Sequence, residues 1–170
     1  MKNNMFSKQF AEINWRYQKS YNYDLYDLYY IILCYQIMAD ITIEEAAKED
    51  WDLIALPGGL PGADHLRDCS TLIELLQKQQ EKKKLYGAVC ASPAVVFQSH
   101  SLIGAGATCY PAPPFRGVMT DASDEKVVVQ DNVVTSQGPG TSLLFALALG
   151  EQLYGKEEAD KIADALLVQR

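Results

Sequence analysis

Cys90 is the residue of this chain best placed to do chemistry. It stands in Leu85-Tyr86-Gly87-Ala88-Val89-Cys90-Ala91-Ser92-Pro93-Ala94, where a short apolar run gives way to a stretch able to start a helix. A second signal lies upstream, in Asp52-Leu53-Ile54-Ala55-Leu56-Pro57-Gly58-Gly59. A thiol at a helix N-terminus meets the positive end of the helix dipole and unsatisfied N–H groups, which favour thiolate over thiol. Glycines let a backbone approach a substrate closely. The N–H groups of Gly58, Gly59 and Ala91 are therefore candidate donors to a developing oxyanion. The two segments read as a nucleophile elbow facing a glycine-rich loop, with Cys90 catalytic and Gly58, Gly59 and Ala91 as substrate or oxyanion contacts.

The surrounding pattern has to position these residues. Leu53 to Leu56 reads as a buried strand stopped by Pro57-Gly58-Gly59, and Tyr86 to Val89 as the next strand. Glu44 to Lys48 predicts a short helix behind Thr42. Ser70 is a candidate cap for a helix whose stripe is Leu72, Ile73, Leu75 and Leu76. Ala91 to Phe97 predicts a helix that tolerates Pro93 in its first turn. Thr108 to Tyr110 reads as a short strand. Lys126 to Thr135 reads as a hairpin around Asp131-Asn132. Ser142 to Tyr154 predicts a helix ended by Gly155, and Ala159, Ile162, Ala163, Leu166 and Leu167 mark a last amphipathic helix. Short apolar strands alternating with helices predict an α/β sandwich around a mostly parallel sheet, where ligands bind beyond the carboxyl ends of the strands.

The front of the chain reads differently. Seven of the ten tyrosines fall between positions 17 and 35, without a clean period. Tyr30 to Met38 has the composition of a buried strand. Residues 1–38 are thus an atypical N-terminal segment, and residues 39–170 the domain.

Composition narrows the function classes. The net charge of -7 argues against a nucleic-acid partner, because phosphate contacts need a basic face. Lys82-Lys83-Lys84 reads as a solvated helix end whose cations suit the C-terminal dipole. Cys34, Cys69, Cys90 and Cys109 show no CxxC spacing, and no secretory signal is read, so a reduced thiol protein of the cytoplasm is expected. Cys34, Cys69 and Cys109 read as core or surface thiols. Two histidines, His65 and His100, read as structural and make a zinc site a poor expectation. The apolar run Leu28 to Met38 is shorter than the ~20 residues of a membrane span. No metal and no cofactor are expected.

Three ordered motifs resemble the DJ-1/PfpI superfamily, the family of the Parkinson-disease protein deglycase. Asp52-Leu53-Ile54-Ala55-Leu56-Pro57-Gly58-Gly59-Leu60-Pro61-Gly62-Ala63 is similar to its glycine-loop signature. Ala88-Val89-Cys90-Ala91-Ser92-Pro93-Ala94 resembles its cysteine elbow. Val134-Thr135-Ser136-Gln137-Gly138-Pro139-Gly140-Thr141-Ser142 resembles its third signature. The wording is closest to the plant-type branch, whose members often carry two such domains in tandem. The resemblance implies a flavodoxin-like three-layer sandwich of the class I glutamine amidotransferase type. It implies Cys90 as a cofactor-independent nucleophile toward small aldehydes such as methylglyoxal, giving lactate without glutathione, or toward early glycated adducts. It also implies a homodimer.

The sequence departs from that family in three places. The glutamate that hydrogen-bonds the cysteine in family members has no counterpart: residues 1–38 hold only Glu12, with no glycine loop beside it. No histidine occurs in Cys109 to Phe115, where some relatives carry one. Gln137 stands where many relatives have arginine. Two further readings therefore accompany the aldehyde-processing one: a non-enzymatic redox sensor or chaperone-like protein working through oxidation of Cys90, and an inactive truncated isoform. An amidotransferase needs a His-x-Glu after the cysteine, and a peptidase of this superfamily a histidine directly after it, where Ala91 stands. Phosphate binding by the glycine loop lacks the Gly-Lys-Ser/Thr that such loops carry.

Overall fold

The computed structural model describes residues 39–170, so the expectations for residues 1–38, Glu12 and Cys34 included, lie outside the described residues. The described chain runs α1 (Ile43–Ala46), β1 (Leu53–Leu56), α2 (Gly62–Asp68), α3 (Ser70–Glu81), β2 (Leu85–Val89) and a π-helix (Pro93–Gln98). It continues through α4 (Pro113–Arg116), β3 (Val127–Gln130), β4 (Val133–Ser136), a 3-10 turn (Pro139–Thr141), α5 (Ser142–Tyr154) and α6 (Lys156–Ala165).

Four described strands form one sheet in the order β1-β2-β4-β3. β1, β2 and β4 are parallel, with Leu53 opposite Leu85 and Tyr86 opposite Val133. β3 closes the edge antiparallel to β4. Alternate residues of a strand face opposite sides, and both sides are covered. Ile54, Leu56, Tyr86 and Ala88 pack under Leu72, Leu76 and the π-helix residues Val96 and Phe97. Leu53, Leu85 and Val134 pack under Phe145 and Leu149 of α5. The result is the α/β sandwich expected, with helices on both faces of a mostly parallel sheet.

Local signals acted largely as read. Thr42 and Glu45 form a reciprocal capping box: Thr42 N–H donates to Glu45 Oε2 at 3.0 Å, and Glu45 N–H to Thr42 Oγ1 at 3.3 Å. The hairpin turns at Asp131, with φ 49°, and Asn132. Gly155 ends α5 at φ 89°. The lysine run holds the end of α3: Lys82 and Lys84 both reach Asp50, and Lys84 also donates to the Trp51 carbonyl.

Four expectations need correction. Ser70 does not cap α3. It is the first helical residue, and Cys69 holds the cap position without a side-chain bond. Thr108 to Tyr110 forms no ladder; this segment is held from outside, Thr108 N–H donating to Thr135 Oγ1 at 3.0 Å. The helix after the elbow is wound as a π-helix, opening on Pro93, which has no amide hydrogen to miss. The stripe on the last helix is narrower than read. Ala159 and Ala163 are buried, whereas Ile162 is half-exposed, and Leu166 and Leu167 lie beyond the helical end with Leu167 almost fully exposed.

Candidate active site

Cys90 directly follows β2, at the carboxyl end of the parallel strands. Its backbone sits in the left-handed region, at φ 67°. A residue with a Cβ adopts this conformation at a cost of order 1–3 kcal/mol and holds it only where surrounding contacts enforce it. The enforcing contacts are visible. Cys90 N–H donates to the Ser136 carbonyl at 2.9 Å, and its own carbonyl accepts from Tyr110 N–H at 2.8 Å. On the far side the Ala91 carbonyl accepts from Val95 N–H at 2.9 Å and Ala94 N–H at 3.1 Å. The strained turn is thus pinned by β4, by the segment after the π-helix, and by that helix's first turn.

The glycine loop closes over this elbow. A Cβ placed on Gly58 would stand 2.4 Å from Cys90 Cβ, 2.8 Å from the Val89 carbonyl oxygen and 3.1 Å from Cys90 Sγ. No side chain fits there. Gly59 is required for a different reason: nothing crowds it, but its φ of +89° is one that residues with a Cβ rarely adopt. The structure therefore brings Gly58 against Cys90, with Gly59 beside it and Ala91 buried directly after. The Ser92 hydroxyl donates to the Pro57 carbonyl, tying elbow to loop.

The neighbourhood holds a second thiol and an aromatic wall. Cys109 is buried against Ala94, Ala107 and Met119, and its Sγ donates to the Tyr110 carbonyl at 3.4 Å. Burial pushes its thiol up; the Cys90 sulfur adds to this, and the Arg116 guanidinium partly opposes it. Tyr110 is 41% exposed, packs edge-on to Phe115 with ring centroids 6.0 Å apart, and lies against Gly138. It occupies the stretch in which no histidine was found. Gln137 is committed to structure, its Nε2 donating to the Asp124 carbonyl at 2.9 Å.

The remaining candidates lie elsewhere. His100 Nε2 is 3.0 Å from the Arg67 carbonyl, a packing role, and His65 is exposed on α2. Cys69 is half-buried at the start of α3. Among the described residues no group of three or more potential metal ligands occurs. Among them, too, no carboxylate is hydrogen-bonded to the Cys90 thiol. Sequence reasoning passed over Ser92, Ser136 and Tyr110. The first two were quoted within motifs, but their partners are backbone groups of distant strands and loops, which no local pattern announces.

The family model described as the DJ-1/PfpI family matches residues 33–152. The chain belongs to the DJ-1/PfpI family. It is 46% identical over 136 residues to Protein DJ-1 homolog B of Arabidopsis thaliana, covering 78% of this chain and 31% of that protein. It is 33% identical to the glutathione-independent glyoxalase DJR-1.2 of Caenorhabditis elegans, covering 79% and 73%. Among solved structures, oxidized Toxoplasma gondii DJ-1 superposes with a TM-score of 0.74 at 42% identity, covering 79% of this chain and 73% of that one. These neighbours establish the flavodoxin-like fold of the DJ-1/PfpI type. The chain spans about a third of the length of the Arabidopsis relatives, DJ-1 homologs B and A. No described helix is long and apolar enough to cross a membrane.

Proposed function

We propose that Cys90 is the nucleophile of a cofactor-independent, aldehyde-processing thiol enzyme of the glyoxalase or deglycase type. The observation that carries this reading is the pinned left-handed turn at Cys90, roofed by a glycine that leaves no room for a side chain. A fold spends such strain where a reactive group must be held in one place.

The chemistry follows from the positions. The Cys90 thiolate adds to the aldehyde carbon of methylglyoxal; the C–S bond forms, and the carbonyl electron pair moves onto oxygen. The N–H groups of Gly58, Gly59 and Ala91 are the donors proposed for that oxyanion. The hemithioacetal oxygen is protonated; a proton then shifts from the former aldehyde carbon to its neighbour, while the hydroxyl proton is lost and the neighbouring carbonyl oxygen gains one. This gives a thioester that water hydrolyses to lactate and free Cys90. The net reaction is methylglyoxal plus water to lactate, without external reductant or oxidant. A positioned acid/base typically contributes ~10²–10⁴ in rate. With no described carboxylate on the thiol, slow turnover is part of the proposal. Early glycated adducts are the wider substrate class, and a cytoplasmic homodimer is the proposed setting, with sedimentation equilibrium to check the dimer.

Lactate formation from methylglyoxal without glutathione tests the reading. Wild type should turn over, and Cys90→Ser should fall to background; equal rates exclude catalysis by Cys90. A second reading, an oxidisable sensor thiol, is supported by the lack of a described carboxylate partner and by a relative solved in an oxidised form. It predicts selective oxidation of Cys90 by dilute peroxide with negligible turnover. Mass spectrometry finding Cys69 oxidised first would count against it.

A further inference from the structure

The glycine loop cannot anchor itself over the thiol. Pro57 and Pro61 bring no amide hydrogen and are exposed, Gly58 and Gly59 bring no side chain, and the Leu60 side chain points largely to solvent, 58% exposed. The far end of the loop is fastened to α2, where Ala63 N–H donates to the Gly59 carbonyl at 2.8 Å and Asp64 N–H to the Pro61 carbonyl at 3.1 Å. The near end, which touches Cys90, needs a fastening from elsewhere. Ser92 supplies one. It is 0% exposed, two residues beyond the nucleophile, and its hydroxyl donates to the carbonyl of Pro57, the residue before Gly58.

We propose that Ser92 is a positioning residue that latches the glycine loop onto the cysteine elbow, setting the distance between the loop's N–H groups and the Cys90 sulfur. The hydroxyl touches no reacting atom; it acts through Pro57. The bond joins the two halves of the oxyanion site directly: one partner follows β1, the other follows β2, and each adjoins a proposed donor, Gly58 and Ala91. The Ser92 hydroxyl is buried, and a buried donor is costly to leave without a partner, which holds it to the Pro57 carbonyl. Without that bond the loop retains only its attachment to β1 and α2 and can drift from the thiol. A misplacement of ~1 Å in a positioning contact costs about 10²-fold in rate.

The test compares the wild-type chain with Ser92→Ala and with Gln79→Met. Gln79 is buried and donates to the Leu85 carbonyl at the opposite end of β2, so its variant controls for general loss of a buried hydrogen bond. In Ser92→Ala, amide hydrogen exchange at Ala63 and Asp64, whose N–H groups are bonded to the loop carbonyls of Gly59 and Pro61, should quicken at least ~10-fold relative to the rest of the sheet, as expected of a locally opened segment. In Gln79→Met it should follow the global change only. Because the latch deepens the aldehyde-processing reading, lactate formation is read in parallel. kcat should fall ~10–100-fold in Ser92→Ala with KM little changed, since oxyanion donors act on the transition state. Alkylation of Cys90 by iodoacetamide, which needs only an accessible thiol, should stay within about threefold. If wild type makes no lactate, the aldehyde reading fails, but the exchange measurement still decides the latch. Should Ser92→Ala not fold, Ser92→Cys, of similar size with a weaker donor, carries the same exchange measurement. Unchanged exchange at Ala63 and Asp64, or equal loosening in Gln79→Met, overturns the proposal.

Discussion

At the scale of single residues, Cys90 and Gly58 form one unit, and a change at either is felt at both. Gly58→Ala would put a methyl group 2.4 Å from Cys90 Cβ and 2.8 Å from the Val89 carbonyl. Neither is the far end of a flexible side chain, so the loop or the elbow must move. Overpacking of this kind costs ~1–3 kcal/mol in stability, and displacement by ~1 Å costs about 10²-fold in rate. Gly58→Ala is therefore expected to lose about two orders of magnitude in kcat while still folding. Lactate assay and thermal melting, run together, check the pair of outcomes; full activity would show that the approach of Gly58 to Cys90 is not used. Cys109 makes the opposite case. Burial holds its thiol in the neutral form, so at neutral pH it should react with iodoacetamide far more slowly than Cys90 or Cys69, as peptide mass spectrometry of the labelled protein would report.

At the scale of elements, two helices away from the site stabilise the domain that carries it. α3 buries Leu72, Leu75 and Leu76 along the face that holds β1 and β2 in register. Leu76 is fully buried, and Leu76→Ala is expected to cost ~2–5 kcal/mol, the usual range for a cavity of that size, measured by denaturant titration. α1 is only four residues long, and its start rests on the Thr42–Glu45 capping box. Thr42→Ala should cost about 1 kcal/mol, detected in the same titration, and leave Cys90 chemistry unaltered. The elements legible in sequence were those whose signals are local. Valine-rich runs on either side of the Asp131-Asn132 turn marked the hairpin, and Gly155 marked the end of α5. The Thr108 to Tyr110 segment was misread because its apolar and β-branched residues suit a strand, whereas its backbone is fastened by the Thr135 side chain and the Cys90 carbonyl.

At the scale of the whole molecule, two buried acids couple stability to pH. Desolvation pushes the Tyr86 phenol up to about 12, while its hydroxyl donates to the Leu102 carbonyl at 2.6 Å. The Cys109 thiol is raised for the same reason. Both groups keep their protons in the folded state at a pH where the unfolded chain releases them. Their stabilising effect is complete below the ordinary thiol and phenol values, ~8.5 and ~10, and is lost as pH rises toward the folded values. For Tyr86, a shift of about two units corresponds to about 2–3 kcal/mol by pH 12. Melting temperature should thus decline from about pH 8.5 upward, and Tyr86→Phe should flatten the decline above about pH 10. A profile equally steep in Tyr86→Phe would assign the alkaline loss to other groups.

The amino-acid sequence by itself determined the family and most of the strands and helices after residue 40, and it singled out Cys90 as the candidate thiol. Those features are written in contiguous runs: an apolar strand ended by Pro-Gly-Gly, a second ended by Cys-Ala-Ser-Pro, and a Gly-Pro-Gly-Thr turn opening a helix. What only the tertiary structure decided are relations between residues far apart in the chain. Gly58 must lack a side chain because Cys90 lies against it, and Ser92 is placed to reach Pro57 across 35 positions. Cys90 keeps its left-handed turn because β4 and Tyr110 bond its two backbone groups. Short-range preference selects conformations residue by residue. Distances of closest approach, and the partners of backbone donors and acceptors, exist only once the sheet has brought the strand ends together.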